Sequence, residues 1–243
     1  MIKKVIKLLV SKLGYEIKKI DSVYKNNKEI YNKYQSKYCH LLSTINKNDK
    51  NIKIKLHFGC GPRVLKGWIN IDLAYEPYEN YLKYYGEKYY PMELRGSKGE
   101  FYIFDIKKEK LPFPDNFVDV IFHEDFIEHL NQKDQIIFLA ETRRVLKKGS
   151  VCRVNTPNLL KSMEKNSNFN NGFNGVYTTE WDKNNHLNVL TPRIIEEMAY
   201  MVGYSNVVFN SRNNSISKLI PLEYRPDLND REEDGNIFVD LIK

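Results

Sequence analysis

From residue 52 onward, strand-like segments alternate with helical ones, and this alternation constrains the fold more than any other feature of the chain. Segment 52–58 is rich in β-branched residues and ends at Gly59. Segment 116–122 is nearly all apolar, as expected of a strand buried on both faces. Further strands are predicted at 68–73, 100–104, 151–154, 206–209 and 237–242. The pattern predicts an α/β fold with an open, mostly parallel sheet and helices on both faces.

Two long helices are predicted between these strands. Segment 125–146 has apolar residues at helical spacing, and the Lys-Lys-Gly at 147–149 supplies the positive charge and glycine typical of a helix end. A second helix is predicted over 192–202, with Pro192 in its first turn and Gly203 after its end.

The first 50 residues are predicted to form an N-terminal helical extension and linker, 1–50, ahead of a compact domain at 51–243. Apolar residues recur at helical spacing through 1–20, with lysines between them. Such a basic amphipathic helix could pack on its own domain, contact a second subunit in a homodimer, or lie on a membrane surface. The polar segment 21–50 suits a second helix followed by the linker.

Composition narrows the function classes. The net charge of +7 suits phosphate-bearing partners, nucleic acid or anionic lipid, although the general richness in Lys, Asn, Ile and Tyr equally fits a compositional bias. Aromatic residues make up 13% of the chain, which excludes a disordered protein. Three scattered cysteines exclude a disulfide scaffold and predict a reducing, cytoplasmic location. No apolar run approaches the ~20 residues that a membrane-spanning helix needs.

A Gly-Cys-Gly turn at 59–61 follows the first strand directly, and acidic residues end the next two strands, Asp72 and Asp105. In an open sheet, ligands bind outside the carboxyl ends of the strands. Asp72 could accept the hydroxyls of a ribose, and Asp105 an adenine amino group. A dinucleotide fingerprint is excluded because Val64 stands where its third glycine would be. A plain tight turn remains the alternative.

Several further motifs, in fixed order, carry a resemblance to a known family. They are Gly-Trp-Ile-Asn-Ile-Asp at 67–72, Leu-Pro-Phe-Pro-Asp-Asn at 111–116, Glu-His-Leu at 128–130, Arg-Val-Leu-Lys-Lys-Gly at 144–149 and Thr-Pro-Asn-Leu at 156–159. With these motifs the chain resembles a small, type-11-like class I S-adenosylmethionine-dependent methyltransferase. The resemblance implies a Rossmann-like, seven-stranded sheet with its last strand antiparallel, and S-adenosyl-L-methionine as cofactor.

The same resemblance implies which residues bind the methyl donor. The glycine turn would face the methionine part of the donor, and Asp72 would hold its ribose. The two residues after the third strand would flank the adenine, and the end of the fourth strand would lie beneath the donor. The implied residues are His57, Gly59, Cys60, Gly61, Asp72, Asp105, Ile106, Phe122 and His123. The tyrosine-rich segment 75–90 is longer than the family leads one to expect, and could be a lid, a subunit contact or surface aromatic packing.

Transfer of a methyl group to a hydroxyl calls for a base near the donor. Asp125, Glu128 and His129 are spaced to share one helical face at the rim of the predicted pocket. Relatives often have His at the position of Asp125, so the base is left open between Asp125 and His129. Alternatively, Glu128 and His129 only satisfy nearby backbone groups.

Other polar residues are candidates for the acceptor side. His186, a third catalytic candidate, lies with Trp181 in the Asn/Gly-rich segment 166–188, which is predicted to be a loop above the sheet edge. Arg153 and Asn155, on the fifth strand, are candidates to contact the substrate. No metal site is expected, because His123 and His129 are six residues apart and the zincin spacing is four.

The first hypothesis for function is O-methylation of a sugar, or of a sugar-nucleotide or lipid-linked precursor in cell-surface polysaccharide biosynthesis, as relatives with a short spacing between glycine turn and Asp72 imply. One alternative is methylation of another small molecule or of RNA, and nucleic acid is the less favoured acceptor because no accessory RNA-binding pattern is present. A second alternative is a non-catalytic cofactor-binding or assembly protein, which the intact glycine turn and the acidic residues Asp72 and Asp105 disfavour.

Overall fold

The computed structural model describes residues 52–83, 86–165, 167, 175–223 and 235–243. The amphipathic helix and linker predicted for 1–50, with their membrane or subunit contact, lie outside the described residues. Among the described helices, none has both the length and the apolar character needed to cross a bilayer.

The described residues form a seven-stranded sheet with the order β3-β2-β1-β4-β5-β7-β6. Its pairings are parallel except those of β7, which runs antiparallel to both β5 and β6. This topology confirms the predicted fold class. The strands are β1 Lys55–Phe58, β2 Ile69–Asp72, β3 Phe101–Ile103, β4 Val118–Glu124, β5 Leu146–Pro157, β6 Asn206–Asn210 and β7 Asn236–Ile242.

The strand order reverses at β1, which pairs with β2 on one side and β4 on the other. Phe58, the last residue of β1, lies beside Ile71 of β2 and His123 of β4. The carboxyl ends of three parallel strands therefore meet at one edge. Such a switch point is where open α/β sheets form their ligand crevices.

The described α-helices are α1 Tyr78–Leu82, α2 Gln132–Val145, α3 Leu159–Ser162 and α4 Pro192–Val202. Helix α4 confirms its prediction. The Thr191 side chain accepts a hydrogen bond from the Ile194 amide, and Gly203 ends the helix in the left-handed conformation at a φ of 96°. Helices α2 and α4 contact each other.

The prediction of one helix over 125–146 is wrong at both ends. Strand β4 continues to Glu124, Asp125 has a φ of 45°, and a short 3-10 turn covers Ile127–His129. Helix α2 begins only after Asn131, whose side chain accepts a hydrogen bond from the Asp134 amide, an N-cap that starts the helix there. At the other end, Leu146 already pairs with Val118 in the sheet, so the predicted strand 151–154 is the middle of a longer β5.

The tyrosine-rich segment packs as an aromatic cluster. Tyr81 and Tyr90 are almost fully buried, with ring centroids 5.1 Å apart, and Tyr78 lies against both. The guanidinium of Arg95 lies 3.8 Å from the centre of the Tyr78 ring. Tyr81 and Tyr90 belong to the same core cluster as Phe122 of β4. These contacts support the packing interpretation of this segment over the lid.

Arg153 on β5 is fully buried and forms a charge network instead of the predicted substrate contact. Its Nε and Nη2 donate to the two oxygens of Glu223 at 2.8 and 2.9 Å, and its Nη1 lies 3.5 Å from Asp240. Nη2 also donates to the carbonyl of Ser211. Because the charge of Arg153 is paired with carboxylates inside the fold, the prediction that Arg153 contacts the methyl acceptor is wrong.

We expect Glu223→Gln to lower the free energy of unfolding by about 3 kcal/mol, because it leaves the buried Arg153 charge without its main counter-charge. Urea denaturation measures the change. Glu197→Gln is the matched control, since it removes an exposed ion pair with Arg193 and should leave stability unchanged. Equal stabilities for the two variants would contradict a structural role for the Arg153 network.

Candidate active site at the β1–β4 switch point

The two glycines of the turn after β1 play different parts. Gly59 has a φ of 60°, and a Cβ there would lie 2.6 Å from Cδ2 of Phe126, so only glycine fits. Its amide donates to the carbonyl of Ile71 at 2.9 Å, joining the turn to β2. Gly61, at a φ of 46°, has no atom within 4 Å of where its Cβ would be. The backbone at Gly61 is therefore open to a ligand.

Asp72, at the end of β2, is fixed by backbone amides. Its Oδ2 accepts a hydrogen bond from Gly61 at 2.9 Å, and its Oδ1 accepts one from Leu73 at 2.7 Å. A carboxylate has about four lone-pair sites, so two remain for a ligand. The turn thus presents an open backbone and an oriented acceptor side by side.

A cavity of about 290 Å³ opens at this edge. Its walls combine apolar side chains with four titratable groups of the predicted site. The apolar residues are Phe58, Ile71, Leu73, Phe104, Ile106, Phe126 and Leu130; the titratable groups of the predicted site are Asp72, Asp105, Asp125 and His129, and Lys107 also lines the cavity. Asp105 pairs with Lys108 at 2.9 Å and accepts from the Lys107 amide, and the Lys108 hydrogen bond lowers the pKa of Asp105. We call this cavity the donor cavity.

A second cavity, of about 270 Å³, shares Gly59, Gly61 and Asp125 with the donor cavity. The predicted residues His57 and Cys60 line it, together with Arg63 and Glu124, which sequence reasoning missed. Arg63 donates to Glu124 at 2.8 Å and to two backbone carbonyls. The position of Arg63 just after the glycine turn is the one feature of the sequence that could have indicated its role. The two cavities therefore meet at the glycine turn.

His57 and Cys60 are uncharged at neutral pH. Burial, reinforced by the Arg63 charge, lowers the pKa of His57 to about 3, and its Nδ1 lies 3.0 Å from Oδ1 of Asn70. Burial also raises the pKa of the Cys60 thiol. Neither side chain is an acid–base group for chemistry in this cavity.

Phe122 and His123 line neither of these two cavities. Both are fully buried: Phe122 stacks on His57 at 5.3 Å between ring centroids, and His123 meets Phe126 and Phe138 edge-on. Burial lowers the pKa of His123 to about 3. The prediction that they contact the donor is corrected, because they support the floor of the site from within the core.

Asp125 and His129 lie on the donor cavity, as predicted, but not through a shared helix face. Asp125 holds its left-handed conformation through a backbone hydrogen bond to the carbonyl of Asn155 at 3.0 Å. The Asn155 side chain is fully buried between Glu124 and Asn236. Asn155 therefore positions Asp125, and the prediction that it meets the acceptor is corrected.

His186 lies next to His129, with the ring centroids 5.0 Å apart. It is buried, and its Nδ1 lies 2.8 Å from Oε2 of Glu180, a fully buried residue that no sequence pattern indicated. Burial, and then His186, lower the pKa of His129. The segment predicted as a loop contains a π-helical turn at Thr178–Lys183, where the partly exposed Trp181 packs on Tyr177 and lines neither cavity.

Comparison with known proteins identifies a domain family in this part of the chain. The family model for a methyltransferase domain matches residues 56–154, which contain the glycine turn, Asp72, Asp105 and Asp125. A search of curated proteins found no match.

Two solved structures illustrate the structural likeness. A SAM-dependent methyltransferase from Archaeoglobus fulgidus is 12% identical, with a TM-score of 0.49 over 91% of this chain and 99% of that one. A Thermotoga maritima protein, described as a SAM-dependent methyltransferase and possible histamine N-methyltransferase, is 14% identical, with a TM-score of 0.47 over 91% and 95%.

The match identifies residues 56–154 as a methyltransferase domain, and the strand order agrees with the Rossmann-like methyltransferase fold. The domain is of the type-11 kind, and the chain is a methyltransferase enzyme that uses S-adenosylmethionine.

We expect Asp72→Ala to weaken binding of S-adenosylhomocysteine, the demethylated donor, about 10- to 100-fold. The variant removes hydrogen bonds from a charged acceptor, each of which contributes about 1.5–3 kcal/mol. Calorimetric titration measures the affinity. Asp115→Ala, which removes an exposed carboxylate paired with Arg144, is the control. Unchanged affinity in Asp72→Ala would contradict the ribose assignment.

Proposed function

We propose that this enzyme methylates a hydroxyl of a sugar, carried on a nucleotide or lipid as a precursor of a cell-surface polysaccharide. The observation that carries the proposal is that Asp125 and His129 line the same cavity as Gly61 and Asp72. A hydroxyl acceptor must lose a proton as it gains the methyl group, so polar groups are needed beside the donor.

The residues present fit the donor. The open backbone at Gly61 accommodates close approach, and the oriented Asp72 carboxylate accepts ribose hydroxyls. Apolar Ile106 and Phe104 suit the faces of an adenine, with Asp105 beside them. The second cavity, at the other side of the turn, suits the methionine part, where the Arg63 guanidinium lies near its wall.

The donor supplies a methyl group that is already activated on a sulfonium. The chain therefore has two tasks, which are to align the acceptor oxygen with that methyl group and to remove its proton. Alignment of reacting groups contributes about 7 kcal/mol or more in favourable cases. A positioned general base contributes roughly 10²–10⁴-fold in rate.

Asp125 is the group that we assign to proton removal, with His129 beside the acceptor. The left-handed backbone of Asp125 turns the chain immediately after β4, at the junction of the two cavities. Aspartate tolerates this conformation better than most residues, and left-handed backbone at non-glycine positions is often found at functional sites.

Support for a sugar acceptor comes from the family resemblance and from the net charge of +7, which suits a diphosphate-linked substrate. We also propose that the enzyme acts in the cytoplasm. The buried Cys60 and Cys152 are free thiols, as is usual in a reducing compartment.

A methyl-transfer screen tests the proposal. The purified enzyme is incubated with S-adenosylmethionine and, separately, with nucleotide-sugars, lipid-linked saccharides, small amines and RNA, and products are analysed by mass spectrometry. We expect the mass of one methyl group to be added to a saccharide hydroxyl, and less product from Asp72→Ala at donor concentrations that do not saturate the variant. Methylation confined to RNA or to an amine would overturn the proposal.

We expect Asp125→Asn to lower kcat by roughly 10²–10⁴-fold while the affinity for S-adenosylhomocysteine stays within about twofold, because only the proton acceptor is lost. Asparagine also tolerates the left-handed backbone, so the variant does not add the strain that alanine would. Steady-state kinetics and calorimetry provide the two numbers. Full activity in Asp125→Asn would exclude Asp125 as the base.

A further inference from the structure

Three side chains beside the donor cavity converge on one point. Glu128, His129 and His186 each offer one ligand atom, and these atoms lie within 4.8 Å of one another. Glu128 and His186 are buried, whereas His129 is exposed and lines the donor cavity. The sequence separation of His186 from the other two hides this cluster from any search for local metal motifs.

The hydrogen bonds of both histidines leave the same nitrogen for a ligand. Nδ1 of His186 lies 2.8 Å from a carboxylate oxygen of Glu180, and Nδ1 of His129 lies 3.3 Å from the carbonyl oxygen of Asn185. Both partners accept hydrogen bonds, so each Nδ1 donates and each Nε2 carries the lone pair of a neutral ring. A histidine held in this way by a carboxylate or carbonyl is the usual arrangement around a metal ion.

The third side chain is also held by a neighbour. Oε2 of Glu128 accepts a hydrogen bond from the Thr156 hydroxyl at 2.8 Å, while Oε1 lies 4.0 Å from Nε2 of His186. The carbonyl of Glu128 accepts from the amides of Leu187 and Asn188, which ties the 3-10 turn to the segment carrying His186. All three side chains are therefore oriented by partners outside the cluster.

We propose that Glu128, His129 and His186 bind a divalent transition-metal ion, for which Zn²⁺ is the best match, beside the acceptor subsite. Two imidazoles and one carboxylate are a common catalytic zinc set, which leaves a coordination position open. The proposed site shares His129 with the pair considered on spacing grounds, but Glu128 and His186 replace His123 as ligands. It rests on the proposed function, because the open position would face the acceptor.

The distances between the three ligand atoms are short enough for the side chains to close around an ion. Ligand atoms that each lie about 2.0–2.1 Å from a tetrahedral zinc are roughly 3.4 Å apart, so the cluster contracts by about 1 Å on binding. His129 is exposed, which leaves its ring room to move.

The ion would change how the acceptor is activated. The acceptor hydroxyl occupies the open position, and the charge of the ion lowers the pKa of that hydroxyl. Its proton passes to Asp125, the oxygen lone pair forms the bond to the methyl carbon, and the electron pair of the sulfur–carbon bond stays on sulfur. His129 then acts as a ligand through Nε2, which is why proton removal falls to Asp125.

Zinc binding to the full chain, without donor or acceptor, tests the site directly. The protein is first treated with a chelator, and then titrated with Zn²⁺ in competition with a chromophoric chelator. We expect one equivalent to bind and the melting temperature to rise with bound zinc. The paired variant Glu128→Gln with His186→Gln should lose both effects, and Glu197→Gln should keep both.

Glu180→Gln provides a second measurement that does not remove a ligand. Loss of the carboxylate that orients His186 should weaken zinc binding about 10- to 100-fold, as is typical for residues that support a ligand from outside. Chelation should also abolish methyl transfer while leaving the affinity for S-adenosylhomocysteine unchanged.

The outcomes separate this inference from the proposed function. Failure of the wild-type protein to bind zinc, or equal zinc affinity in the paired variant, overturns the metal site and leaves the methyltransferase assignment in place. Zinc binding with no methylated saccharide in the screen supports the site and contradicts the proposed acceptor.

Discussion

The hydrogen bond from the Gly61 amide to the Asp72 carboxylate joins the ends of two neighbouring parallel strands into one ligand-binding edge. It depends on the switch in strand order at β1, which brings β2 and β4 to either side of the same turn. Gly59 completes the arrangement, since any side chain there would collide with Phe126. Packing and hydrogen bonding therefore fix the turn before any ligand arrives.

The other side of the site depends on the end of β4. Asn155 holds the backbone of Asp125 in the left-handed conformation, and the 3-10 turn that follows brings His129 to the cavity and Glu128 into the interior. The contacts of Glu128 with Leu187 and Asn188 then bring His186 alongside. Asp125 and His129 thus meet Gly61 and Asp72 in one cavity, the arrangement that transfer between two bound molecules requires.

Local pattern was sufficient for the sheet and for α4, whose capping residues Thr191 and Gly203 stand in the sequence. It failed over 125–146, because the apolar spacing that suggests a helix arises there from a strand end, a 3-10 turn and a shorter helix. Asp72 and Asp105, which the resemblance assigns to the donor, both line the cavity. It could not reveal that Arg153 is neutralised by Glu223, a partner 70 residues away in the chain. Glu180 and the cluster around His186 are likewise products of tertiary contacts.

A crystal structure of the complex with S-adenosylhomocysteine would show whether the donor binds at the glycine turn. We expect ribose hydroxyls within hydrogen-bond distance of Asp72, the adenine between Phe104 and Ile106, and the sulfur facing Asp125. Density for the nucleoside at any other place on the chain, with the edge of β1 and β2 unoccupied, would contradict this placement.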